Sequence, residues 1–380
     1  MSSSSPKTWW RRAAAAMKDK RSICLSRVAG GGQRGEMEAA VIRATSHDDR
    51  SVDYKNAARV FAWARTAPAC LPPLMRALTR RARRTRSWVV ALKTLLLAHG
   101  VLLCSAAAPG LGRLPFDLSD FRDRSTRHSS TSYGFSAFVR AYFQFLDHRS
   151  LLLFSSEDER DEAPRRSSTP DDDLKIVVKM QDLLDLLMQI RPYADGMEVG
   201  LILEAMDCVV IEIFEVYSNI CSGIARFLVD VLGPSSSAAS ADERRLMGIG
   251  GMGILRRAAE QSEQLSSFFN LCRGLGVLNA AEIPAVETIP EDDIRDLESL
   301  VIGGGIGGIV AEAESKQIGT VVTDKWEVFE DETAPPASYC GNPFLIFEKA
   351  EKTAQSRTPW EASLNQQAGT FAGGDLIELI

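Results

Sequence analysis

Residues 88–108 read WVVALKTLLLAHGVLLCSAAA, an apolar run as long as a membrane span. Two residues decide against a bilayer. Lys93 and His99 sit inside the run, and a charge near the bilayer centre costs about 3 kcal/mol on insertion scales. Arg83, Arg84 and Arg86 stand just before it. The surviving reading is a helix that is apolar on all sides and buried at the centre of a helical protein.

The neighbouring sequence fits that reading. Apolar residues recur at helical spacing over Glu36–Ser46, Asp53–Thr66, Leu71–Ala82, Thr85–Ser105 and Gly134–Leu153. Pro68, Pro72, Pro109 and Pro115 fall near the expected helix ends. The basic cluster Arg80–Arg86 falls between two of these helices, and residues 29–35 (AGGGQRG) form a flexible break. Further helices are expected over Leu174–Arg191, Met197–Leu232 and Arg244–Leu275, the last weakened at its start by Gly248, Gly250, Gly251 and Gly253. Alternation of strand type is nearly absent. Residues 155–173 are charged and loop-like, and Arg165-Arg166-Ser167-Ser168-Thr169-Pro170 suits either a solvated loop or a phosphorylation site. From Gly303 onward Gly, acidic and polar residues dominate, with Pro335, Pro336 and Pro343 as breakers, so a mostly disordered tail is expected.

Charge is unevenly placed along the 380 residues. The first 150 hold 26 Lys+Arg against 10 Asp+Glu, a net of +16, and the remainder hold 18 against 40, a net of −22; together they give the overall −6. A basic module that meets an anionic surface is implied, and charge alone leaves membrane and nucleic acid both open. Hydrophobic residues at 45 % and charged residues at 25 % exclude a wholly disordered chain, a collagen repeat and a multi-span membrane protein. The seven cysteines have no zinc or redox spacing, which suits reduced, mostly buried thiols in the cytosol. The N-terminus lacks an apolar run of signal-peptide length. Residues 9–20 place Trp10, Ala13, Ala14 and Met17 on one helical face. That segment suits either a basic helix lying on a membrane or a first helix packed on its neighbour.

Several short stretches occur in a telling order. They are Lys18-Asp19-Lys20-Arg21-Ser22, Ala40-Val41-Ile42-Arg43-Ala44-Thr45-Ser46-His47-Asp48 and Arg84-Thr85-Arg86-Ser87-Trp88-Val89-Val90-Ala91-Leu92-Lys93. Leu114-Pro115-Phe116-Asp117-Leu118, Gly134-Phe135-Ser136-Ala137-Phe138-Val139-Arg140-Ala141-Tyr142, Ile190-Arg191-Pro192, Leu203-Glu204-Ala205-Met206-Asp207 and Ile289-Pro290-Glu291 follow. Together the chain resembles the ANTH domain of plant clathrin-assembly proteins over about three quarters of its length. The resemblance implies an all-α fold, a right-handed solenoid-like superhelix of the ENTH/ANTH kind, with a mostly disordered C-terminal tail. It divides the chain into a flexible or amphipathic N-terminus (1–16), an ENTH-like helical part (17–154), a charged loop (155–173), a second helical part (174–300) and a tail (301–380). It also implies a membrane-recruited adaptor with no catalytic residues, metal or cofactor.

In that family the lipid site begins with a basic residue followed by Ala-Thr-x-His, which here is Arg43-Ala44-Thr45-Ser46-His47. A headgroup with several phosphates, such as phosphatidylinositol 4,5-bisphosphate, needs clustered cationic donors on a rigid surface. The best-known members continue with a short basic run ending in His, whereas this chain has Asp48-Asp49-Arg50-Ser51. Two acids there should repel phosphate. Lys18, Lys20, Arg21, Arg50 and Lys55 are the cations placed to compensate.

The tail carries short motifs of the kind that dock into partner grooves. Asn342-Pro343-Phe344 resembles a ligand of EH-domain proteins, and Trp326 with Phe329 resembles the WxxF-acidic ligands of clathrin adaptor-complex appendages. Leu376-Ile377-Glu378-Leu379 resembles a clathrin box for the clathrin heavy chain, with Ile380 in place of the usual final acid. Asp182-Leu183-Leu184 and Asp185-Leu186-Leu187 mimic clathrin-binding tripeptides, but their helical setting marks the leucines as core. Related domains also hold R-SNARE helices as cargo. The resemblance therefore places the protein in the cytoplasm, peripheral on coated pits and vesicles at the plasma membrane, the Golgi or both. Two rival readings have specific motives. Gly303–Gly308 contains GxGxxG after a short apolar run, with Asp324 at ribose-binding distance, as in a dinucleotide-binding enzyme. The basic half suits a nucleic-acid-binding helical array, although no zinc, RNP-like or helix-turn-helix pattern accompanies it.

Overall fold

A computed structural model describes residues 14, 16–26, 31–126, 129–162, 170–232, 241–281, 286 and 290–302. Among the described residues the regular structure is helical, with no strand. A first helix, α1, covers residues 16–26. It is followed by α2 (Gly32–Ala44), α3 (Tyr54–Thr66), α4 (Leu71–Arg84), α5 (Trp88–Cys104), α6 (Ser129–Glu162), α7 (Pro170–Met188), α8 (Gly200–Leu232), α9 (Ala241–Leu275) and α10 (Glu291–Ile302). The chain divides into two compact units. Of the described residues, one takes those up to 158 and 191–208, and the other takes those of 159–190 and 209–302.

The first unit is built around α5. Helix α2 packs against α3 and α4, and both of these pack against α5. All but two of α5's residues are buried, including Lys93 and His99 at 1 % exposure each. His99 Nδ1 lies 2.8 Å from the buried Tyr142 hydroxyl, and its ring meets the edge of Phe145. At the other end of α5, Trp88 stacks flat on Phe135 at a centroid distance of 3.9 Å. The stretch that suggested a span is thus the hub of the first unit's core, and no helix among the described residues is long and apolar enough to cross a membrane.

Local chemistry sets the helix ends. Asp53 caps α3 by accepting the Asn56 N–H at 3.1 Å. Pro68 and Pro109 each open a short 3-10 turn, and Pro72 lies in the first turn of α4, where a missing N–H costs nothing. Arg83 and Arg84 end α4, where cations complement the helix dipole. The basic cluster Arg80–Arg86 is therefore mostly the last turn of a helix rather than a connection.

In the second unit α7 and α10 both pack against α9. Gly248, Gly250, Gly251 and Gly253 do not interrupt α9. A Cβ at Gly251 would collide with the ring of Phe227, so this glycine admits a close approach between helices. Leu183, Leu184 and Leu187 are buried and Leu186 is half-buried, while Arg257 reaches Asp182 and Asp185 at 2.6 Å each. The clathrin-like tripeptides of α7 are core, as their spacing predicts. Two boundaries differ from the sequence reading. Helix α6 continues to Glu162 and α7 begins at Pro170, so the connection is shorter than residues 155–173. Helix α10 was not expected. Its last residues, Leu300 to Ile302, are the apolar run before Gly303, and they are helical where a dinucleotide fingerprint needs a strand. Of the six described cysteines Cys70, Cys208 and Cys272 are buried, Cys104 and Cys221 are half-buried and Cys24 is exposed; all are free thiols. Burial lifts the Cys104 thiol to about 11, which suits a packing role.

Candidate functional site

The segment Thr45–Val52, between α2 and α3, lies within the first unit, and four elements hold it. From α4, Arg81 donates through Nε to Thr45 Oγ1 at 2.9 Å and through a terminal nitrogen to the Thr45 carbonyl at 2.6 Å. This arginine satisfies the open carbonyl end of α2. The same nitrogen donates to Asp19 Oδ1 of α1 at 2.7 Å. Asp19 in turn accepts the His47 backbone N–H at 3.1 Å and lies 3.0 Å from its Nδ1. A carboxylate only accepts, so Nδ1 carries the hydrogen and Nε2 is the ring nitrogen left for another partner. Burial pushes the Asp19 carboxyl up, but hydrogen bonds from His47 and Arg81, with their charges, outweigh it and hold it below the usual carboxylate value.

Beneath the segment lies Lys93. Its Nζ is 3.5 Å from Ser46 Oγ. Burial is the largest influence on this ammonium and lowers its pKa, against the opposing charges of Asp48, Glu204, Asp53 and Asp49. The two acids that seemed misplaced in the sequence thus offset a buried cation. From α8, Glu204 accepts the Val52 N–H at 3.2 Å and hydrogen-bonds Tyr54; burial raises its pKa despite these donors. Gly200 abuts the same segment, since a Cβ there would come within 2.8 Å of the Arg50 carbonyl oxygen.

The seven cations predicted from sequence fall on α1, α2, α3 and the segment itself. Lys18, Lys20 and Arg21 are exposed on α1, on either side of the buried Asp19. Arg43 is half-buried in the last turn of α2, His47 is 23 % exposed at its side chain, and Arg50 and Lys55 are exposed. Among the described residues, no ion pair is seen for Lys18, Lys20, Arg21, Arg43, Arg50 or Lys55, in contrast to Arg80, which is tied to Glu38 at 2.8 Å. Sequence reading missed Asp19, Arg81, Lys93 and Glu204 as parts of this region. Each was visible as a residue, but its partner lies between 28 and 152 positions away. The arrangement is suited to holding a polyanion against exposed cations on a pinned loop and on the helices that flank it. No group of carboxylates, imidazoles and thiols among the described residues is placed to hold a metal ion. Trp326, Phe329, Asn342, Pro343, Phe344, Leu376, Ile377, Glu378, Leu379 and the Gly303–Gly308 run lie outside the described residues.

The helical part of this chain corresponds to a known family. The ANTH domain profile matches residues 36–302. The Arabidopsis thaliana clathrin assembly protein At1g25240 is 44 % identical over 339 residues, covering 85 % of this chain and 87 % of its own. Clathrin assembly protein At1g68110 of the same plant is 40 % identical over 346 residues, 85 % of this chain and 88 % of its own. A third, At1g14686, is 40 % identical over 293 residues, 77 % of this chain and 81 % of its own. The chain belongs to the ANTH-domain, clathrin-assembly-protein family, which is a membrane-trafficking family and not an enzymatic one. That membership and the helix before Gly303 remove the dinucleotide-enzyme reading.

Proposed function

We propose that this protein is a clathrin-coat adaptor that docks on phosphoinositide membranes through the Thr45–Val52 segment and recruits coat partners through its tail. The observation that carries the lipid half is the clamp. Asp19 and Arg81 fix the His47 loop, while Lys18, Lys20, Arg21, Arg43, Arg50 and Lys55 remain without ion pairs among the described residues. Fixed cations with unsatisfied charge are what a multiply phosphorylated headgroup requires. Each basic residue near an anionic leaflet contributes about 1 kcal/mol. Clathrin heavy chain would be bound through Leu376-Ile377-Glu378-Leu379, adaptor appendages through Trp326 and Phe329, and EH-domain proteins through Asn342-Pro343-Phe344. R-SNARE cargo stays a family-based proposal without a groove assigned. Weak motifs in one tail act together by effective concentration. The protein would then be peripheral on coated pits and vesicles.

Flotation of the full chain with vesicles tests the reading. Binding to phosphoinositide-containing vesicles at low salt, with less binding to vesicles lacking that lipid, supports it. No binding to either overturns the lipid half. A pull-down of clathrin that is unchanged by Leu376→Ala with Leu379→Ala overturns the tail half.

A further inference from the structure

A second basic surface lies at the α4–α5 connection, on residues outside the headgroup loop. Arg83 and Arg84 close α4, and Arg86 follows two residues later; all three are exposed. Beside Arg86 in space lies the segment Phe121–Thr126. The Arg124 N–H donates to the Arg86 carbonyl at 2.9 Å, which lays Arg124 beside Arg86. Within this segment the residues alternate: Phe121 and Asp123 are buried, Arg122 and Arg124 exposed.

The buried acid explains why the arginines stay outward and unpaired. Ser87, at the start of α5, makes no side-chain cap. Asp123 supplies one from a distance by accepting the Trp88 N–H at 3.1 Å, a favourable place for a carboxylate at a helix N-terminus. It also accepts from the Ser125 and Thr126 N–H groups at 3.0 Å each, and its own N–H donates to Ser136 Oγ at 2.9 Å. From α6, Arg140 donates to the Phe121 carbonyl at 3.0 Å. The segment is therefore pinned at several points, and the carboxylate between its two arginines is taken up by backbone N–H groups and the Ser125 hydroxyl at 2.6 Å. None of Arg83, Arg84, Arg86, Arg122 or Arg124 forms an ion pair among the described residues; Asp120 is the exposed acid nearest in sequence.

We infer that these five arginines form a second anion-binding surface that lies against the phosphate layer of an anionic bilayer. The inference rests on the membrane reading above and extends it. Guanidinium groups bind phosphate bidentately and are weakly hydrated, so a pinned set suits the dense phosphates of a leaflet without needing a closed pocket. Arg81 links the two surfaces: it clamps the headgroup loop, and Arg84 lies one turn further along the same helix. The second surface recognises bulk negative charge, whereas the loop recognises a particular headgroup. Such a division would offset the repulsion of Asp48 and Asp49.

The test compares three full-length proteins: the unaltered chain, R83Q/R84Q/R86Q/R122Q/R124Q and R43A/H47A. Each is floated with phosphatidylserine vesicles, with and without a phosphoinositide. The five-arginine variant should lose at least about tenfold in affinity for both vesicle types, the scale expected when several basic residues leave an anionic surface. R43A/H47A should lose only the increment due to the phosphoinositide. If the five-arginine variant binds both vesicles as the unaltered chain does, this inference is wrong while the membrane reading stands. If the unaltered chain binds no vesicle, both fall. A loss of RNA binding with vesicle binding intact reassigns the surface to nucleic acid and overturns the inference. Far-ultraviolet circular dichroism and an unchanged melting midpoint exclude misfolding as the cause of a loss.

Discussion

Asp19 holds His47 twice, accepting its backbone N–H at 3.1 Å and facing its Nδ1 at 3.0 Å, and the same carboxylate takes Arg81 at 2.7 Å. A single buried acid on α1 therefore ties the loop after α2 to the last turn of α4. The positive face of this region depends on a negative residue beneath it.

Asp19→Asn should lower stability by about 2 kcal/mol, the scale of hydrogen bonds to a charged group. The effect should depend on pH. Because the folded-state value of Asp19 lies below 3.8, its contribution is complete above that value and is lost as the pH falls through the folded one. Urea midpoints measured from pH 7 to pH 2 should show the largest gap between the two proteins at neutral pH and convergence at the acid end.

Asp48→Asn with Asp49→Asn should separate stability from binding. Both acids are exposed, and both act on the buried Lys93. Their removal should cost under about 1 kcal/mol, as for surface charges. Binding to phosphoinositide vesicles should strengthen by about tenfold or more, since two neutral residues near the leaflet replace two repulsive charges, each worth roughly 1 kcal/mol. Chemical denaturation and flotation of one preparation check both halves.

Two glycines of α9 should respond in opposite directions to alanine. At Gly251 the added methyl meets Phe227, and overpacking of this kind costs about 1–3 kcal/mol. At Gly253 nothing lies within 4 Å, so Gly253→Ala should stabilise by up to about 1 kcal/mol through helix propensity. Thermal melts of the two variants decide the matter.

Much of this architecture could be read from the sequence because period and punctuation are local. Lys93 and His99 already argued that the run at 88–108 is a core helix, and Pro68, Pro72 and Pro109 marked helix starts, whereas Pro115 lies in the connection before α6. What escaped reading depends on distant partners. Arg81 looked like one member of a solvated cluster, because nothing in its neighbourhood shows that Thr45 and Asp19 lie opposite. Asp48 and Asp49 looked only repulsive, because the cation that they offset is Lys93 on another helix. Gly251 looked like a helix breaker, since propensity acts on one residue while the reason for the glycine is the Phe227 ring. Helix α10 was hidden behind a glycine-rich run that suggested a strand.

The central claim is that the clamped loop, and not basic charge in general, selects the lipid. Its most direct test is the ratio of vesicle affinities, with and without a phosphoinositide, for the full chain and for Arg43→Ala with His47→Ala. A clear preference is expected in the unaltered protein, and a ratio near one in the variant at unchanged melting temperature. A preference that survives both substitutions would contradict it.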